Sequence, residues 1–250
     1  MRIAAIALMA GTLAACAGAP RGPSNAVIDR ALRGAPGAAQ PSRIVATEIE
    51  FARAAKENGQ FTAGLQFAAP LAVFHSSNGT QSAAALFGQL PNPDEPIEWG
   101  PRTVVMSCDG SLAVSLGRYE DQDDQVGNYV TVWQRQQDGG YRWIYDVAGP
   151  DIPQPPPRQE FEDGDIVVTA IDSIEGLVAD CARPGQSVPP PPAVAIGSGG
   201  EDGGGISRDG TLRWRWEHRP DGIKHVKADY FYQGQWLSPI EENLTSPPEG

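Results

Sequence analysis

Two carboxylates in this chain have neighbours suited to moving a proton. Asp146 ends the run Tyr141-Arg142-Trp143-Ile144-Tyr145-Asp146 and follows Ile144 on what reads as one strand face. Glu48 shares a helix face with Phe51. Proton shuttling needs a carboxylate base facing hydrogen-bond donors inside an apolar pocket. Asp146 is the general-base candidate and Glu48 a second, with Tyr129, Tyr145 or Trp99 as donors. The plainer reading of the same residues is packing. Asp146 then caps or bridges at a strand end, and the aromatic stripe is core. The packing reading is favoured, so an enzyme is the alternative.

Other reactive side chains point to less. His75 ends an apolar run without a visible partner to position it as a base, which favours a structural histidine. His218 and His225 flank a late hairpin, but its register puts them on opposite faces, so no metal is expected. Gly197-Ser198-Gly199 lacks the spacing of a nucleophile elbow, and Gly203 to Gly205 lacks the Lys and Ser/Thr of a phosphate loop. No cofactor is expected. Glu120-Asp121-Gln122-Asp123-Asp124 reads as a solvated loop rather than a calcium site. Formal net charge is −12, which disfavours nucleic acid as a partner.

These residues need elements to hold them. Pro41-Ser42 opens a helix, with Ser42 as N-cap, that runs to about Asn58 and stops at Gly59. Ile44, Glu48, Phe51 and Ala55 share one face, with Val45, Ile49 and Ala52 beside it. Short helices are expected near Thr62–Phe67 and Ser82–Leu90, with a strand at Leu71–His75 between them. Four strands follow: about Glu98–Ser107, Leu112–Glu120, Asn128–Gln136 and Tyr141–Val147. Asp109-Gly110 makes the first hairpin and sets Val105 against Val114 and Met106 against Ala113. Asp138-Gly139 allows two registers. A two-residue loop opposes Trp133 to Ile144. A three-residue loop opposes Trp133 to Trp143 and collects Tyr129, Trp133, Trp143 and Tyr145 on one face.

Past Pro150 the composition turns Pro- and Gly-rich. Asp165–Ile171 and Gly176–Asp180 could be strands, and Pro189–Pro192 and Gly197–Gly205 read as linkers. Thr211 to His218 then alternates cleanly, Arg219-Pro220-Asp221-Gly222 turns it, and Ile223 to Tyr232 returns. A three-residue loop sets Trp216 against Val226, Trp214 against Ala228 and Leu212 against Tyr230. It is preferred because it makes one apolar face. A lone hairpin is marginal in water, so that face must pack on something, and the outside of the main domain is the expected site.

The start of the chain carries an address. Arg2 precedes a short apolar stretch, and Leu13-Ala14-Ala15-Cys16 resembles a bacterial lipobox. The resemblance implies lipidation at Cys16, cleavage before it, and a membrane anchor with more than one acyl chain. By resemblance to Gram-negative sorting rules, Ala17 after Cys16 implies the periplasmic face of the outer membrane. In that oxidising compartment Cys108 and Cys181 are expected to pair. The expected units are a signal peptide (1–15), a tether with a possible short helix at Ala26–Leu32 (16–40), a main domain (41–150), a connector (151–205), a hairpin extension (206–240) and a loose tail (241–250).

Helices followed by a long antiparallel sheet give an α+β class, with helices on one sheet face. Residues 41–150 resemble the nuclear transport factor 2-like superfamily, which includes ketosteroid isomerase and SnoaL-type cyclases, and look nearest its domain of unknown function 4440 branch. The resemblance rests on Glu50-Phe51-Ala52-Arg53, Trp99-Gly100-Pro101, Asp109-Gly110-Ser111-Leu112-Ala113, and Tyr129-Val130-Thr131-Val132-Trp133 with Asp138-Gly139, Trp143 and Asp146. It implies a cone-shaped curved sheet with a pocket, here lined by Phe51, Trp99, Tyr129, Trp133, Trp143 and Asp146. It implies no single mechanism. No residues match the isomerase's Tyr and Asp pair. The expected function is a lipid-anchored module binding a small apolar ligand or a protein partner. The alternatives are an isomerase, dehydratase or cyclase using Asp146, and a homodimeric envelope scaffold.

Overall fold

The computed structural model describes residues 38–156, 173–183, 185, 187–193 and 200–246. The lipobox with Cys16, the tether up to residue 37 with its possible helix at 26–32, and the possible strand at 165–171 lie outside the described residues.

Helix α1 (Pro41–Asn58) starts with proline at its first turn, where the missing N–H costs no hydrogen bond. Gln40 takes the cap position, so Ser42 lies inside the helix and is not the N-cap. Gly59, at φ 94°, ends it. Ile44, Glu48 and Ala55 are buried along one stripe, whereas Ile49 is exposed. Helix α2 (Gln60–Phe67) leads into strand β1 (Ala68–Ser76). Strand β2 (Gly79–Ser82) and helix α3 (Ala83–Phe87) follow.

Strands β3 (Glu98–Met106), β4 (Leu112–Glu120), β5 (Val126–Arg135) and β6 (Tyr141–Pro150) form an antiparallel meander. With β1, β2 and β7 (Glu175–Val178) they make a seven-stranded sheet of order β2-β1-β6-β5-β4-β3-β7. Among the described strands only the β1–β6 and β3–β7 pairs are parallel. The sheet is curved and open, with the helices on one face. Register breaks in β3–β4 and β5–β6 add the extra residues that bend strands.

A second, four-stranded antiparallel sheet covers the other face. It runs β8 (Glu201–Ile206), β9 (Leu212–His218), β10 (Lys224–Tyr232) and β11 (Gln235–Leu244). Trp216 opposes Val226, Trp214 opposes Ala228 and Leu212 opposes Tyr230. The glycine run expected as a linker is strand β8: Gly203 and Gly205 have no side chains, and the Trp216 and Trp214 indoles lie over them. Strand β11 also runs past the expected start of the tail, because Ile240 and Leu244 are buried between the sheets.

The result is three layers. Ile44, Val104, Met106, Ala113, Trp133 and Trp143 pack between helices and sheet. Val105, Val114, Val130, Val132, Tyr145 and Val147 meet Leu212, Trp214, Val226, Ala228 and Ile240 between the sheets. Strands covered on both faces become apolar at successive positions, as in Val104-Val105-Met106.

One turn occurs twice. Ser107 to Leu112 and Ser207 to Leu212 both close with the serine N–H on the leucine carbonyl and the serine hydroxyl on an aspartate. The two turns touch: Cys108 N–H donates to Thr211 Oγ1 at 3.0 Å. At the same end Cys108 and Cys181 form a disulfide, with Cα atoms 5.1 Å apart.

Candidate functional site

Between the helices and the concave sheet face lies a cavity of about 410 Å³. Its size falls in the range of small-molecule sites. Phe51, Trp99, Tyr129, Trp133, Trp143 and Asp146 all line it, as does Glu48. Phe61, Phe74 and Phe87 complete an aromatic wall. The Phe51 and Trp99 rings meet edge-on at 4.8 Å, and Trp143 Nε1 donates to the Gly64 carbonyl at 2.9 Å. These contacts hold α1 and α2 against the sheet and leave the space open.

Glu48 is buried, on the stripe of α1 that faces β5. Tyr129 donates its hydroxyl to Glu48 Oε2 at 2.5 Å, and Trp133 Nε1 reaches Oε1 at 3.2 Å and Ser115 Oγ at 3.0 Å. Burial pushes the Glu48 carboxyl up to about 7, against hydrogen bonding from Ser115, Tyr129 and Trp133. The same burial, with the Glu48 charge, holds the Tyr129 hydroxyl well above its usual range.

Asp146 faces the same space from β6. Thr131 stands opposite it and donates Oγ1 to Asp146 Oδ1 at 2.5 Å. Oδ2 has no donor among the described residues. Asp146 is only half-buried by surface, because its open side is the cavity itself. Burial raises it to about 6, opposed by the Thr131 hydrogen bond and the charge of Lys224. Lys224 lies behind, its Nζ donating to the Ala148 carbonyl at 2.7 Å.

The Asp146 orientation depends on a bulge. The hairpin at Asp138-Gly139 uses the three-residue loop: Gln136 N–H donates to the Gly140 carbonyl, and Trp133 opposes Trp143. Val132 then opposes Tyr145, so Ile144 is the extra residue. Beyond it the alternation is reversed. Ile144 and Tyr145 pack toward the second sheet while Asp146 turns to the cavity. Ile144 and Asp146 therefore do not share a face, and Tyr145 does not join Tyr129, Trp133 and Trp143.

His75 is not in the cavity. On β1 the neighbouring Phe74 lines it, and strict alternation turns His75 to the other face. There His75 is fully buried between the sheets, with Nδ1 2.7 Å from the Tyr145 hydroxyl and Nε2 2.9 Å from His218 Nδ1. Burial pushes it down to about 3, with the charges of His218 and Lys224 acting the same way. His225 points to the opposite face of its strand, toward Glu241. No cluster of metal-ligating residues occurs among the described residues.

Sequence reasoning missed Lys224 and the His75–His218 contact. Thr131 was legible as a strand partner of Asp146. The two that were missed depend on how one sheet lies on the other.

No family model matches the chain, and no curated protein does. Solved structures are similar to part of the chain. One is a nuclear transport factor 2-like superfamily protein from Salmonella enterica serovar Typhimurium, at 15% identity and TM-score 0.30, covering 50% of this chain and 96% of that one. Another, from Xanthomonas campestris, is described as a calcium/calmodulin-dependent protein kinase II association domain, at 16% identity and TM-score 0.33, covering 48% and 94%. A third, described as a ketosteroid isomerase from Shewanella frigidimarina, is at 14% identity and TM-score 0.30, covering 40% and 90%. Likeness at this level says nothing of activity.

Proposed function

We propose that the protein is a nuclear transport factor 2-like module, lipid-anchored at Cys16 in the cell envelope, that binds a small and mostly apolar molecule in its cone. One observation carries the binding reading: an aromatic-walled cavity contains a carboxylate oxygen, Asp146 Oδ2, without a donor among the described residues. Binding sites of this kind combine an apolar wall with a few fixed polar groups. The Cys108–Cys181 disulfide supports the envelope placement, since such bonds persist in oxidising compartments. Native mass spectrometry of the protein taken from its own envelope tests the reading. A co-purifying small molecule, lost when Ala148→Trp fills the cavity, is the expected result. A bare chain that also takes up no apolar probe would sink it.

The second reading is proton transfer. Glu48 and Asp146 face one space, with carboxyls raised to about 7 and about 6. A carboxylate poised this near neutrality suits a general base, and the Tyr129–Glu48 pair suits a hydrogen-bond donor to a developing oxyanion. Asp146 would take a proton from an apolar substrate and return it to another carbon. Deuterium wash-in from solvent, abolished by Asp146→Asn with binding retained, separates this reading from simple binding.

A further inference from the structure

The cavity is unusual in its charges. Its rim and floor carry three carboxylates, those of Glu48, Asp121 and Asp146, and no Lys, Arg or His among the described residues that line it. The rest of the wall is largely aromatic. Ring faces are negative, so a wall of Phe51, Trp99, Trp133 and Trp143 attracts positive charge as well as apolar surface. Lys224, whose charge Asp146 feels, sits behind the sheet on the Ala148 carbonyl and does not enter the lining.

We propose that the occupant is a hydrophobic cation: an apolar amine whose ammonium group lies against Asp146 and whose body lies on the aromatic wall. The inference rests on the binding reading above and narrows it to one ligand class.

The alternatives fit the site less well. An anionic ligand would be brought into a low-dielectric space beside the Glu48 and Asp146 carboxyl groups, with no cation to receive it among the described residues of the lining. A neutral ligand can give the open Asp146 oxygen a donor but no counter-charge. An ammonium group supplies both missing things, a donor for Oδ2 and a counter-charge. The chain's net charge of −12 favours the approach of cations over anions.

The groups around these carboxyls fix how pH should act. Glu48 is faced by Tyr129, Ser115 and Trp133, and feels Asp146. Asp146 is faced by Thr131 and feels Lys224. Tyr119 and Asp121 complete the titratable lining. Both inner carboxyls are raised because burial strips solvent from their charge. A bound cation restores that charge, so uptake near neutral pH should release protons. Below the raised range both carboxyls are neutral, and the attraction is lost.

Calorimetry on the full chain with three matched probes tests this: naphthylmethylamine, naphthylmethanol and naphthylacetate. The amine should bind at least about tenfold more tightly than the alcohol, as a desolvated cation–π and ion-pair contact requires. Naphthylacetate should be weakest. Amine binding should release protons, seen as a heat that varies with the ionisation enthalpy of the buffer. The amine's advantage should vanish near about pH 5, where both carboxyls are protonated. Asp146→Asn should remove the advantage, so that amine and alcohol bind that variant alike. The acid measurement makes the same check on the unaltered chain should that variant fail to fold. If alcohol and amine bind equally, the cation inference falls and the binding reading stands. If none of the three binds, both fall.

Discussion

Asp109 donates its backbone N–H to Asp209 Oδ2 over 2.9 Å, joining two copies of the same turn from the two sheets. Asp209 also accepts from the Ser207 hydroxyl and from the N–H and hydroxyl of Thr211. Asp209→Ala removes all of these at once and leaves donors without partners. The expected loss is roughly 2–4 kcal/mol. Urea unfolding should show it as an earlier midpoint, and an unchanged midpoint would mean that the turns carry no stability.

The disulfide closes the same end. It spans 73 residues, from the β3–β4 turn to the segment after β7. Constraining an unfolded loop of that length is worth roughly 4 kcal/mol in the chain-entropy model. The double variant Cys108→Ser, Cys181→Ser should lower the melting temperature in calorimetry, and adding reductant to that variant should change nothing further.

Gly117 opposes Tyr129 across β4 and β5. A methyl group there would lie 2.3 Å from the Gly100 carbonyl and 2.4 Å from the Tyr129 hydroxyl. Gly117→Ala must therefore move backbone or drive Tyr129 off Glu48. The expected cost is about 1–3 kcal/mol, typical of overpacking. Apolar-probe affinity should fall with it, whereas the exposed-loop change Gln122→Ala should leave both unaltered.

Two buried groups should tilt stability in opposite directions with pH. Glu48 is raised from 4.5 to about 7, so it favours the fold below about 4.5, and that contribution is lost as pH rises through 7. His75 is lowered from 6.5 to about 3, so its contribution is present above 6.5 and lost as pH falls through 3. Relative to the parent, Glu48→Gln should gain about 3 kcal/mol as pH rises across its window. His75→Gln should gain as pH falls across its own. Denaturant midpoints measured over a pH series check both, and parallel curves for parent and variants would refute the assignment.

Much of the fold was written locally. Gly59 at φ 94°, Gly139 at 87° and Gly222 at 81° stand where their turns need a residue without Cβ. The stripe Ile44, Glu48, Phe51, Ala55 fixed which side of α1 faces the sheet. In the late hairpin one register gathered the apolar side chains and the other scattered them, so alternation was decisive. The Asp109-Gly110 turn was read as a hairpin, whereas its copy at Asp209-Gly210 and the contact between the two were not.

The residues around the cavity show where local reading stops. Phe51, Trp99, Tyr129, Trp133 and Trp143 could be assigned to helix and strands from sequence, since turn chemistry and periodicity act between neighbours. The Ile144 bulge could not. Both faces of β6 are covered, so either face accepts Tyr145 or Trp143, and hydrophobicity does not choose. Packing chose: the second sheet took Tyr145 against Trp214 and His75, and that turned Asp146 into the cavity. The sequence by itself determined the elements and their turns. Only the tertiary structure decided which side of one strand looks inward, because that preference belongs to the layers on either side and not to the strand.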